Sequence, residues 1–360
     1  MVQRLEGERR SPEHVSVIRA DRIRGGAAYI ITGRGDIKLI IQQLRRAANS
    51  NTVQALFQSA DGILDAAPSQ IALDNEQRSY LAMAEHEWPI RFIHVQAGAP
   101  RFIDNLGVKP KAITGDEIGI FNALVISEVL PFREVIQLVA AYGAAVDSAR
   151  VSSTGRVAVL SVQTDLTGED FLSAVKRGWN LELSEAYSKG SIVLGGKFSD
   201  IYHFFNTKDY ILGTDRLRQD LIIDPSDEKR GAIHTGFMEE PALFLKEILQ
   251  SVKQLFADPK IPIIDITTGE LMKTKEEVYQ AVINQITNPV RWDLVDSQLK
   301  KSQISSMWEV GSDVFAKIAT RAKKHPKTTV AVAGGTAGAV GALVFAHRLW
   351  TSRSSKPKGT

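Results

Sequence analysis

Residues Thr114–Val125 read TGDEIGIFNALV. The short apolar run Lys111-Ala112-Ile113 before them has the pattern of a strand end, and Phe121–Ile126 (FNALVI) has that of a buried helix start. Gly115 and Gly119 therefore bracket a tight strand-to-helix turn. Their spacing is that of the nucleophile elbow G-x-S-x-G. Glycine suits such a turn because the chain is strained and a neighbouring backbone passes close by. The helix that follows turns free N–H groups toward any anion at its start. The centre of the elbow is Glu117, not Ser, Cys or Thr, and any account of function has to explain that residue. The alternative is an ordinary βα turn with exposed acids.

Working outward, Ala27–Thr32 (AAYIIT) reads as an earlier buried strand with Gly33-Arg34-Gly35 as its turn. Ile37–Ala48 shows helical periodicity. Ala55–Arg101 stays mostly helical, with Pro89 and Pro100 as expected punctuation. After the elbow helix, Pro131 breaks the chain before a long helix over Phe132–Val146. Strands alternating with helices predict a mainly parallel sheet. Near Val151 the composition shifts. Arg156–Gln163 and Ser191–Gly195 read as strands, Tyr210–Gly213 and Leu221–Ile223 as two short further candidates, and Phe171–Arg177 and Asp200–Phe205 as helices. Residues 151–224 thus form an expected small inserted subdomain. Helical and strand patterns return over Ala242–Phe256, Ile261–Ile266, Glu277–Gln285, Met307–Val310 and Val314–Lys324. The large subdomain is then discontinuous, 27–150 and 225–325.

The ends differ from the middle. Residues 1–26 are polar, and Glu6, Glu8, Glu13 and Asp21 argue against an organelle presequence. Thr328–Ala346 is a stretch of 19 residues without a charge, enough for a helix to span a bilayer core of roughly 30 Å. Gly334 and Gly338 give it a G-x-x-x-G face. We expect residues 328–350 to anchor the chain in a membrane as one helix, with a basic tail over 351–360 and the bulk of the chain cytoplasmic. Its flexible-tail alternative rests on the weak hydrophobicity of Ala and Gly.

Composition narrows the chemistry. With no cysteine there are no disulfides, no thiolate zinc sites and no cysteine nucleophile. A net charge of +3 gives no argument for nucleic acid. No Walker A loop, dinucleotide fingerprint or zinc pattern is present, so neither a cofactor nor a metal is expected. His14, His86, His94, His203, His325 and His347 lack metal-ligand spacing with a carboxylate and read as structural or surface residues.

Five stretches in order carry a resemblance. Thr114–Val125 aligns without gaps to a G-H-S-x-G-E-x-x-A-L segment and keeps Gly115, Gly119, Ala123 and Leu124. Gly33-Arg34-Gly35 stands at an early G-Q-G turn. Ser188–Gly196 is similar to N-S-P-G-Q-x-V-I-x-G, and Ile233–Met238 to S-H-x-x-x-M. Gln285–Trp292 (QITNPVRW) is close to Q-x-x-x-P-V-x-W, the most specific of the five, and Glu309-Val310-Gly311 follows it. The chain resembles the malonyl-CoA:acyl carrier protein transacylase family, including the acyltransferase domains of polyketide synthases, from about Ala27 to Ala322. The resemblance implies an α/β fold: a hydrolase-like parallel-sheet subdomain carrying an inserted ferredoxin-like one. It also implies acyl carrier protein or acyl-CoA as partners in fatty acid or polyketide metabolism.

In that family the elbow serine attacks an acyl thioester, a histidine takes its proton, and backbone N–H groups hold the oxyanion. The resemblance puts His234 at the general base and Gln285 beside it. It puts Glu117 at the nucleophile, Asp116 at the elbow histidine and Ile118 just after the nucleophile. Ile120 replaces the elbow glutamate, Tyr142 the carboxylate-binding arginine, and Arg34 the early-turn glutamine. Tyr187 and Lys189 replace the Asn and Pro of the third motif. A glutamate cannot form the serine ester, and its charge repels malonate. It would pair instead with protonated His234 or with Arg34. Tyrosine carries no charge at pH 7 for a malonyl carboxylate. The expectation is a catalytically degenerate homologue that binds a carrier protein, acyl-CoA or a partner enzyme at a membrane. Three alternatives are a thioester hydrolase using Glu117 and His234, a standard transacylase with another nucleophile, and a purely structural membrane-associated protein.

Overall fold

The computed structural model describes residues 27–32, 36–74, 76–106, 109–151, 157–163, 173, 175, 179–186, 191–212, 232–304 and 306–311. The expected sites Arg34 and Tyr187, the candidate strand at 221–223, the helix at 314–324 and the membrane segment at 328–350 lie outside them. Among the described residues, no helix is long and apolar enough to cross a membrane.

The large sheet is built on β1 (Ala27–Thr32) and β2 (Pro110–Asp116), which pair in parallel with Ile31 opposite Gly115 and Thr32 opposite Asp116. On the other side of β1 runs β9 (Ser306–Gly311), also parallel. Beyond β2 come β6 (Ile263–Ile264) and, antiparallel to it, β7 (Leu271–Met272), giving the order β7-β6-β2-β1-β9. The elbow therefore leaves the sheet at the carboxyl ends of its central parallel strands, where open α/β sheets hold their sites. The strand expected over Ile261–Ile266 pairs only at Ile263 and Ile264.

Helix α5 (Ile118–Ile126) follows the elbow at once and is buried from Ile118 through Leu124. It packs against β1 and β2 on one side and against α4 (Ala84–Leu106) and α6 (Phe132–Val151) on the other. This accounts for a helix with almost no polar face: it is enclosed on all sides. Smaller helices α1 (Ile37–Arg46), α2 (Asn51–Asp61) and α3 (Pro68–Leu73) cover α4. Asp36 caps α1 by accepting from the Lys38 N–H at 2.8 Å.

Two expectations about helices need correction. Pro89 and Pro100 do not end helices, because α4 runs through both. A proline in a helix interior costs ~3 kcal/mol, but Ile90, Phe92, Ile93, Val95 and Ala99 are fully buried along the same helix. At about 1.5–3 kcal/mol for each large side chain, that burial outweighs two prolines. Tyr210–Gly213 is not a strand: Tyr210, Ile211 and Leu212 close helix α7 (Phe198–Leu212). A short apolar run does not distinguish the two states, and here it continues a helix already under way.

The small sheet has the order β3-β5-β4-β8. Strands β3 (Val157–Gln163) and β4 (Leu181–Ala186) each pair antiparallel with β5 (Ser191–Lys197). With α7 after β5, these match the order of elements in a ferredoxin-like unit. The fourth strand, β8 (Val290–Arg291), comes from outside the expected insert and pairs in parallel with β4. The small sheet is thus completed from far along the chain, through the segment that follows α8 (Lys275–Thr287). A capping box holds the start of α8: Thr274 accepts from the Glu277 N–H and Glu277 from the Thr274 N–H.

Candidate functional site

The elbow is set by what its glycines touch. A Cβ on Gly115 would lie 2.2 Å from the carbonyl carbon of Gly119, and one on Gly119 would lie 1.9 Å from the Ile31 carbonyl oxygen. Both contacts are with backbone, which cannot swing away. Between them Glu117 adopts φ 52° and ψ −115°. For a residue with a Cβ, such a conformation costs about 1–3 kcal/mol and persists only where the surroundings impose it. Buried amides secure the turn from behind. Gln96 donates to Asn122 Oδ1 at 2.8 Å, and Asn122 donates to the Ile118 carbonyl at 3.3 Å.

The opposing side is the segment Ala232–Thr235, hung on the small sheet. Ser184 of β4 donates to the Ile233 carbonyl at 2.8 Å, Thr235 Oγ1 donates to the Ala232 carbonyl at 2.6 Å, and the Gly236 N–H donates to Glu182 at 2.6 Å. His234 is itself at positive φ, 61°, and fully buried. Its Nδ1 lies 2.5 Å from the main-chain oxygen of Gln285, so Nδ1 carries the proton and donates. Nε2 has no hydrogen-bond partner among the described residues.

These two sides bring Asp116, Glu117 and His234 together. One carboxylate oxygen of each acid and one ring nitrogen of the histidine all lie within 4.8 Å of one another, and all three residues are buried. Tyr142 of α6 is fully buried close to the two acids, with its ring edge-on to Trp88 at 5.0 Å and tilted against Phe121 at 5.8 Å. Burial, then the charges of Glu117, Asp116 and Glu185, hold its hydroxyl well above the usual phenol range. The hydroxyl stays protonated and finds no hydrogen-bond partner among the described residues.

The other sequence-derived residues act differently from what their types suggest. Gln285 reaches His234 through its backbone carbonyl, while both atoms of its buried side-chain amide lack a partner among the described residues. The Ile118 side chain packs into the apolar core, so only its main chain, at the first position of α5, belongs to the elbow. Ser184, Glu182 and Glu185 were not legible in advance. They lie on β4, which carries a bulge between Leu183 and Glu185, and no motif marks them. The Asp116–Glu117–His234 trio escaped spacing rules because the chain between the elbow and the histidine includes α6, β3, β4, β5 and α7.

No protein-family model matches the chain. Among curated proteins it is 20% identical over 275 residues to a malonyl CoA-acyl carrier protein transacylase of Bacillus subtilis, covering 76% of this chain and 83% of the relative. It is 24% identical over 302 residues to the polyketide biosynthesis malonyl CoA-acyl carrier protein transacylase of the same organism, covering 82% and 96%. Among solved structures, FabD of Acinetobacter baumannii superposes with a TM-score of 0.66 at 19% identity, covering 81% of this chain and 89% of that one. A complex of a malonyl-transacylase with its type II polyketide synthase acyl carrier protein gives 0.65 at 18% identity, covering 81% and 91%. The chain has the α/β fold of these enzymes and resembles the malonyl-CoA:acyl carrier protein transacylase family along most of its length.

Proposed function

We propose that this protein binds an acyl carrier protein or an acyl-CoA with a malonyl transacylase-like fold, but does not pass an acyl group through a serine ester. One observation carries the reading. The strained centre of the elbow, at φ 52° and ψ −115°, is occupied by Glu117, and the histidine opposite it faces carboxylates instead of a hydroxyl. Transfer in the related enzymes needs a neutral nucleophile that loses a proton to histidine. A carboxylate has no such proton to give. The charge expected to hold a malonyl carboxylate is also missing, since Tyr142 remains a neutral phenol. The carrier-protein partner is supported by three of the named relatives, whose descriptions name an acyl carrier protein.

The test is incubation of the full-length chain with malonyl-CoA and a carrier protein, read by mass spectrometry. The expected result is no malonyl-carrier above the no-enzyme control and no acyl adduct on the chain, together with saturable binding of acylated carrier protein. Malonylated carrier protein that disappears in Glu117→Ala would overturn the reading in favour of carboxylate chemistry. We further propose that residues 328–350 hold the protein at a membrane, with the folded part on the cytoplasmic side. Truncation after Lys327 should then release the chain from an alkali-resistant membrane pellet. A truncated chain that stays in the pellet removes this proposal.

A further inference from the structure

We infer that Asp116, Glu117 and His234 form a binding site for a divalent first-row transition-metal cation, with His234 Nε2 and one oxygen of each carboxylate as ligands. The inference stands on this buried trio alone and not on the carrier-protein reading.

Three features support it. First, one carboxylate oxygen of each acid and one ring nitrogen of His234 already lie within 4.8 Å of one another. A cation with metal–ligand distances of about 2.0–2.2 Å needs donors no more than roughly 4.4 Å apart, a contraction that small side-chain rotations supply. Second, the imidazole is set up as a ligand. Its Nδ1–H is committed to the Gln285 carbonyl at 2.5 Å, which fixes the tautomer and leaves the lone pair on Nε2. Metal-bound histidines make this same bond on their second nitrogen to orient the ring and raise its basicity. Nε2 is fully buried with no hydrogen-bond partner among the described residues, an arrangement that costs free energy unless something completes it. Third, the donor set itself suits a cation: two carboxylates and one imidazole converge in a buried pocket. One nitrogen and two oxygens suit Zn²⁺, Mn²⁺, Fe²⁺ or Co²⁺ better than the oxygen-seeking Mg²⁺ and Ca²⁺. A cation there would set a Lewis acid where the related enzymes keep their elbow nucleophile.

The experiment uses the full-length chain, stripped with a chelator and returned to metal-free buffer. Zn²⁺ is titrated calorimetrically, and Co²⁺ is followed by its visible absorption. Near-isosteric variants Asp116→Asn and Glu117→Gln, and His234→Gln, are measured alongside, with circular dichroism to verify folding. The expected result is one ion per chain, with affinity about tenfold or more weaker in each carboxamide variant and lost in His234→Gln. Folded wild-type chain that takes up no stoichiometric ion overturns the proposal. Equal binding by all variants overturns it too, because the ion then sits elsewhere. Carrier-protein binding is scored separately on the same samples, so either reading can fail while the other stands.

Discussion

Glu117 and His234 face each other from opposite walls, and both are held at positive φ, 52° and 61°. The means differ. The elbow wall is held by backbone contact: Gly115 and Gly119 leave no room for one more carbon, and the strand beneath belongs to a parallel sheet. The histidine wall is held by hydrogen bonds that involve side chains: Ser184 and Thr235 donate, and Glu182 accepts. The glycines beside it would meet mostly side-chain atoms, such as Ala232 Cβ at 2.9 Å from a Cβ on Gly195. Packed backbone yields only by moving whole elements, whereas a hydrogen-bonded loop yields one bond at a time. The elbow side is therefore the fixed reference of the site, and the histidine side is the part that adjusts to an occupant.

The comparison can be broken most sharply at Gly119. Its Cβ would fall 1.9 Å from the Ile31 oxygen, so Gly119→Ala should cost about 3 kcal/mol or more, read as a lowered urea midpoint. A small cost would mean that the elbow wall is soft.

A probe away from both walls is His94. His94 on α4 is buried with Nε2 2.6 Å from Gln43 Oε1, and burial, then the Arg91 guanidinium, lower its pKa to about 4. The unfolded chain, with an ordinary histidine near 6.5, takes up the proton first. The contribution is therefore fully present above about pH 6.5 and is lost as pH falls toward 4. Between pH 7 and pH 5 the loss should be about 2 kcal/mol, and His94→Gln should remove that slope from the pH dependence of the urea midpoint.

On the histidine wall, Ser184→Ala removes one hydrogen bond to a buried carbonyl and should cost about 1–2 kcal/mol. A cost matching that of Gly119→Ala would erase the distinction between the walls. The smallest expected effect isolates the strain at the elbow. Glu117→Ala and Glu117→Gly both delete the carboxylate, but only glycine accepts φ 52° freely. The glycine variant should be the more stable by about 1 kcal/mol in thermal or urea unfolding. The reverse order would mean that the backbone relaxes once the carboxylate is gone.

Local sequence signals mark the elbow and its place in the chain. The two glycines, the apolar strand before them and the uniformly apolar helix after them are local signals; β1 formed where its pattern lies, while β2 runs on to Asp116 and α5 begins already at Ile118, so the turn is tighter than the pattern marks. The sequence also shows that no serine, cysteine or threonine stands at the turn. The tertiary structure decided what local patterns do not encode. It carried α4 through two prolines because burial along the whole helix outweighs two lost bonds. It made Tyr210–Leu212 the end of a helix, and it took Val290–Arg291 into the small sheet to close its edge. Above all, it brought Asp116 and Glu117, with Tyr142 close to the two acids, against a histidine far along the chain, and turned the Gln285 backbone, not its side chain, toward that histidine. Spacing in sequence reports neighbours within one turn of helix or one strand pair. Which distant side chains share a buried space depends on how two sheets dock, and that follows only from the packed fold.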